Sequence, residues 1–292
     1  MNAPPVPAPP GRGAGGGGAH APFERSRLSY AGTFRDRRAA RVIRTMEWAT
    51  GKRALLRRVR RLEAAGVPHG PAFWPRALEA LGIDLRTPEA EIARLPRTGP
   101  LVVVANHPHG LVDGLALAAL VARRRPDHAI LARALLTGVR EVEEHTIPVP
   151  FPHDPDARCG MLAMRAEATA RLARGGCVAL FPAGGVAAAE RALGPAVEGE
   201  WSAFTAKLIR RSGAGVVPVR FGGRNSRAYQ IAGRLSPVLR QGLLIHEVRR
   251  SLDRPIRPVI GEAIGPEALA AMGPPRRMMA ALRARTLALE PS

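Results

Sequence analysis

Two histidines and an aspartate stand close together in the segment Asn106-His107-Pro108-His109-Gly110-Leu111-Val112-Asp113. A neutral imidazole is a general base near pH 7, and a carboxylate beside it can fix its tautomer and stabilise the imidazolium it becomes. Five residues separate His107 from Asp113 and three separate His109 from it. The same residue types also suit a turn followed by a capped helix, with Asp113 as the cap. A second segment, Phe181-Pro182-Ala183-Gly184-Gly185-Val186, is rich in small residues. Such a loop lets backbone N–H groups approach a ligand oxygen, although ordinary turns share its composition. A third, Arg220-Phe221-Gly222-Gly223-Arg224-Asn225-Ser226, offers two guanidinium groups to an anionic or polar head group. Either arginine serves equally as a surface residue or a strand-end ion pair.

Each segment follows an apolar run. Leu101–Ala105, Cys177–Phe181 and Val216–Phe221 read as strands, as do His128–Ala132 and Arg257–Gly261. Helical stretches cover Asp113–Arg125, Cys159–Arg174 and Ser202–Arg211, and the tail from Pro266 is helical to about Glu290. Strands alternating with helices predict an α/β fold, a mostly parallel sheet covered by helices. In such sheets sites gather in loops at the carboxyl ends of strands, where all three segments fall.

The 292 residues carry 44 Lys+Arg against 24 Asp+Glu, a net charge of +20. That surface seeks phosphates, on nucleic acid or anionic lipid, or an acidic protein. Half of the excess lies in residues 23–76, which hold fourteen basic and four acidic groups. There Val42, Met46 and Ala49, then Leu55, Val59 and Leu62, recur at helical spacing. They predict two basic amphipathic helices broken near Thr50-Gly51, either packed with a solvated arginine face or lying on anionic lipid. Residues 1–22 are Pro/Gly/Ala low complexity, expected to be disordered, and 77–292 form the main domain.

Several classes are excluded. Cys159 and Cys177 form no CxxC motif or Cys/His cluster, so no metal site or disulfide scaffold is expected. No GxSxG motif is present, and Gly51-Lys52 lacks the upstream glycine of a P-loop. Aromatic content of 4% without a recognition motif argues against a specific nucleic-acid binder. No apolar run reaches membrane-spanning length and no signal peptide precedes the domain. The expectation is a cytoplasmic protein, peripheral on the inner face of the cell membrane.

Taken together, the Asn-His…Asp, Phe-Pro-x-Gly and Val-Pro-Val segments, in that order, resemble the lysophospholipid (1-acylglycerol-3-phosphate type) acyltransferases. The likeness covers roughly residues 75–265, and looks nearest to the bacterial hemolysin-like and ornithine-lipid-like branch. Residues 148–152 match a further block only loosely. The resemblance implies a glycerol-phosphate-acyltransferase-like domain that moves an acyl group from a thioester to a lysolipid hydroxyl. It implies His107 as the base, Asp113 as its partner, and Asn106 as a loop-holding residue. Gly184 and Gly185 would line the acceptor or thioester. It calls for no bound cofactor; acyl carrier protein or coenzyme A would bring the acyl group. Two departures matter. The usual family spacing has four residues between His and Asp, and the FPEGTRS-like block reads Phe-Pro-Ala-Gly-Gly-Val-Ala, losing a Glu and an Arg. Arg220 or Arg224 would have to replace the lost charge. The altered loop also leaves a catalytically inactive lipid-binding relative as a second reading.

Overall fold

The computed structural model describes residues 28–133, 139–151, 154, 156–189, 191 and 194–291. The Pro/Gly-rich segment 1–22 lies outside them. The helices are α1 (Arg37–Thr50), α2 (Lys52–Ala64), α3 (Phe73–Ala80), α4 (Glu89–Ile92), α5 (Leu111–Ala122), α6 (Arg140–Glu144) and α7 (Ala157–Ala173). They continue with α8 (Ala203–Ser212), α9 (Arg227–Leu235), α10 (Pro237–Gly242), α11 (Leu244–Ser251), α12 (Pro266–Ala271) and α13 (Pro275–Leu287). The strands are β1 (Asp84–Leu85), β2 (Leu101–Ala105), β3 (His128–Ala132), β4 (Thr146–Pro148), β5 (Cys177–Leu180), β6 (Ala188–Ala189), β7 (Ala196–Val197), β8 (Gly215–Arg220), β9 (Pro255–Ile256) and β10 (Val259–Ile260).

Among the described residues, six strands form the main sheet in the order β10-β8-β2-β5-β3-β4. All neighbours run parallel except β10, which pairs antiparallel with β8. Strand β2 lies between β5 and β8, and all five of its residues are buried. Its alternation divides the core. Leu101 and Val103 join a cluster with Leu78 of α3, Leu117 of α5 and Ile245 of α11. Val102 and Val104 face a second cluster with Met164 of α7, Ile209 of α8 and Leu282 of α13. Burial on both faces is why β2 reads as an unbroken apolar run. The fold is thus a mixed α/β domain whose mostly parallel sheet is covered by helices.

The two basic helices form and break at Gly51, but α1 is rotated from its expected apolar stripe. Val42 is 44% exposed, while Ala39, Ile43 and Glu47 face inward. Glu47 is fully buried because it accepts hydrogen bonds from Tyr30 N–H and Ser29 Oγ–H, at 2.6 and 2.7 Å, and faces Lys52 Nζ at 3.6 Å. A satisfied buried carboxylate hides a core face from a reading of hydrophobicity. Ile43, Leu55 and Leu56 join the same cluster as Leu101 and Val103 of β2. The C-terminal tail is two helices rather than one, parted at Gly273 (φ 84°) and Pro274. No helix among the described residues is long and apolar enough to cross a membrane.

Candidate active site

Strand β2 ends at Ala105, and the chain must turn before α5 begins at Leu111. Gly110 makes that turn with φ 94° and ψ −123°, a conformation open to glycine alone. Asp113, in the first turn of α5, reaches back to accept the Gly110 N–H at 3.1 Å and the His109 N–H at 2.7 Å. It is therefore a helix cap, and it is more. Its Oδ2 also lies 3.1 Å from His107 Nδ1, and its Oδ1 lies 3.0 Å from His109 Nδ1.

The Asp113 side chain is 1% exposed. Burial pushes its pKa up, but the hydrogen bonds from His107 and His109 and the charges of both rings overcome that and hold it at about 2. Asp113 is consequently an ionised carboxylate, which only accepts, so each histidine carries its proton on Nδ1. The Nε2 of a neutral His107 is left with a free lone pair. For His109, burial lowers the pKa, but the hydrogen bond to Asp113, with the charges of Asp113 and Glu247, carries it above the ordinary histidine value.

The His107 ring stacks on Phe181 at 3.9 Å and 22°. Its backbone is pinned from both sides: the N–H donates to Glu198 Oε2 at 3.1 Å, and the carbonyl accepts from Ala187 N–H at 2.9 Å. Glu198 also accepts from Trp201 Nε1–H at 3.1 Å. Burial raises the Glu198 pKa, opposed by the hydrogen bonds from His107 and Trp201. No spacing in the sequence pointed to Glu198, which lies ninety-one residues from His107.

His107 lines a cavity of about 740 Å³ walled by Leu115, Ala118, Ile130, Met164, Leu180 and Phe204. Gly184 and Gly185 line it as well. Gly184 takes φ 69°, and its N–H closes the turn onto Phe181 O at 3.0 Å. Of that glycine pair, the Gly185 N–H is the one without a protein acceptor among the described residues. His109 is not part of the lining; its Nε2 faces Gly223, where an added Cβ would come within 2.8 Å of it.

Asn106 lies outside the cavity wall. Its amide donates to Phe221 O at 2.9 Å and accepts from Phe221 N–H at 2.7 Å, tying the end of β2 to the end of β8. Arg220 donates to Leu289 O beyond the end of α13, and Arg224 is exposed; neither lines the cavity. The guanidinium groups that do line it are Arg133 and Arg240. Arg133 stands over the Phe151 ring at 4.6 Å, and burial lowers its pKa against the opposing charge of Asp154. Arg133 follows β3 directly, so the rule that sites gather at strand ends had the means to find it. Arg240 comes from helices that the sequence pattern did not show.

No family model matches the chain, and no curated protein matches it. A solved structure that does match is the 1-acyl-sn-glycerophosphate (LPA) acyltransferase PlsC from Thermotoga maritima. The identity is 17% over 89% of this chain and 87% of that chain, with a TM-score of 0.44.

Proposed function

We propose that the protein is an O-acyltransferase that moves a fatty acyl group from a thioester, on acyl carrier protein or coenzyme A, to the hydroxyl of a lysolipid. The observation that carries the reading is the His107 imidazole, fixed by buried Asp113, facing an apolar cavity of about 740 Å³. That arrangement joins a base with an available lone pair to a chamber suited to an alkyl chain. The three sequence blocks resembling lysophospholipid acyltransferases give the reaction type.

In this reaction His107 Nε2 takes the proton of the acceptor hydroxyl as its oxygen attacks the thioester carbonyl. Asp113 stabilises the imidazolium that forms. The Gly185 N–H is the donor offered to the tetrahedral oxyanion. Collapse breaks the carbon–sulfur bond, and the departing thiolate takes the proton back from Nε2. No covalent acyl-enzyme arises and no metal is needed. The exposed arginines of α2 favour a station on anionic lipid at the inner face of the cell membrane, where the acceptor resides.

The test is transfer of a radiolabelled acyl group from each thioester donor to a panel of lysophospholipids and lyso-ornithine lipid, with wild type and His107→Ala. A labelled product that vanishes in the variant supports the reading. Silence across the panel, from folded protein that still binds vesicles, would favour a lipid-binding role without catalysis.

A further inference from the structure

Arg240 is held like a binding group rather than a surface arginine. Its Nε–H donates to Tyr229 Oη at 3.1 Å, its Nη2 donates to Val186 O at 2.7 Å, and its guanidinium lies 5.3 Å from the centre of the Tyr229 ring. Tyr229 is itself buried, 2% exposed, and its N–H donates to Ser226 Oγ at 3.1 Å. The Ser226 hydroxyl in turn donates to buried Glu247 at 2.5 Å. Gly233 leaves the space that the arginine stem occupies, for a Cβ there would lie 3.1 Å from Arg240 Cδ.

What this scaffold holds, among the described residues, is a guanidinium with no carboxylate partner. A guanidinium has five N–H donors, and two are spent on Tyr229 and Val186, leaving those of Nη1 and one of Nη2. Arg240 lines the same cavity as His107, Gly184 and Gly185, and its anchor at Val186 belongs to the loop that carries those glycines. A preorganised planar fork suits two oxygens of one phosphate group.

We infer that Arg240 is a specificity-determining residue that binds a phosphate group of the substrate inside the catalytic cavity. The acyl-transfer reading supplies two sources for that phosphate: the head group of the acceptor lysolipid, and the phosphopantetheine arm of the donor.

The experiment separates them without relying on turnover. Binding of sn-glycerol 3-phosphate and of 4′-phosphopantetheine is measured by calorimetry on the full chain, for wild type, Arg240→Gln, Arg240→Lys and Tyr229→Phe. Arg240→Gln should weaken one ligand at least tenfold, with Arg240→Lys intermediate because it keeps the charge and loses the fork. Tyr229→Phe should weaken the same ligand by freeing the guanidinium, which keeps the test open should Arg240→Gln fold poorly. Loss confined to glycerol phosphate assigns the acceptor, and loss confined to phosphopantetheine assigns the donor. Wild type that binds neither ligand, or Arg240→Gln and Tyr229→Phe that bind both as wild type does, overturns the inference. Acyl transfer unaffected by Arg240→Gln would keep the reaction and sink this role. Arginine-dependent phosphate binding without any acyl transfer would do the reverse.

Discussion

Nδ1 of His107 lies 3.1 Å from Oδ2 of Asp113, and that carboxylate is also the residue that caps the helix on which it stands. One buried group therefore fixes the loop, orients the imidazole and sets its tautomer. Because Asp113 bonds His109 as well, the two histidines are set apart by their surroundings. His107 opens on the cavity, and His109 faces Gly223. His107→Ala should thus lower acyl transfer by roughly 10²–10⁴-fold in a protein that remains folded, its melting temperature lowered by the loss of one hydrogen bond to buried Asp113. His109→Ala should cost far less activity. Initial rates for the two variants, with circular dichroism of each, check this; a larger loss in His109→Ala would move the base to His109.

Asp113→Asn tests the tautomer. An amide in place of the carboxylate can present an N–H to His107 Nδ1, which would put the ring proton on Nε2 and remove the base. Activity should fall by about 10³–10⁴-fold, the scale seen when an orienting carboxylate is replaced in this way. Stability should respond to pH in a defined window. The Asp113 pKa is lowered in the folded protein from 3.8 to about 2, so its ionised form stabilises the fold above pH 4. That contribution is on the order of 2 kcal/mol and is lost as pH falls from about 4 to about 2. Urea unfolding of wild type and Asp113→Asn across that range should show the gap between them closing at low pH; a constant gap contradicts the assignment.

Gly110→Ala should damage stability and chemistry together. The backbone at φ 94° is strained for any residue with a Cβ, and that Cβ would lie 3.4 Å from Val186 Cγ2. The expected cost is about 1–3 kcal/mol. Any relaxation moves the N–H that donates to Asp113, so activity should drop further than melting temperature alone explains. Gly114→Ala, in the same helix with no neighbouring side chain within 4 Å of its added Cβ, is the control for stability alone and should not lower the melting temperature, although its methyl group would enter the cavity.

The sheet and the His–Asp loop were legible because each is local: an apolar strand, a turn and a capped helix lie within thirteen consecutive residues, Leu101–Asp113. What sequence spacing does not carry is the support that arrives from a distance. Glu198 joins His107 across ninety-one residues. Helices α9–α11 went unrecognised because buried polar residues interrupt their apolar faces. Gln230 accepts from Ala189 N–H at 2.7 Å, and Glu247 accepts from Ser226. The expected stripe of α1 slipped by one position for the same reason, since buried Glu47 looks like a surface residue until its partners are known. Arg220 ends a strand and Arg224 follows it, but a guanidinium's long stem decides where its charge lies. Arg220 turns to Leu289 O.

The arginines of α2 give the last prediction. Arg58 is ion-paired with Asp253 and donates to Ala80 O at 3.3 Å, so it is structural. Arg53, Arg57, Arg60 and Arg61 are exposed, Arg53 lies 5.4 Å over the Trp48 ring, and Trp48 is itself 47% exposed. A tryptophan beside a basic helix face is suited to the boundary between head groups and acyl chains. Each arginine near an anionic surface contributes about 1 kcal/mol, so replacing these four by Gln should weaken binding to vesicles rich in phosphatidylglycerol by at least a hundredfold. Binding to neutral phosphatidylcholine vesicles should change little, and raised salt should erase most of the difference. Transfer to a short-chain acceptor below its micelle concentration should keep its wild-type rate, since none of the four lines the cavity. Arg58→Gln should instead lower stability without a selective loss of vesicle binding. If the fourfold variant binds anionic vesicles as wild type does, these arginines are a solvated helix face and the lipid surface is met elsewhere on the molecule.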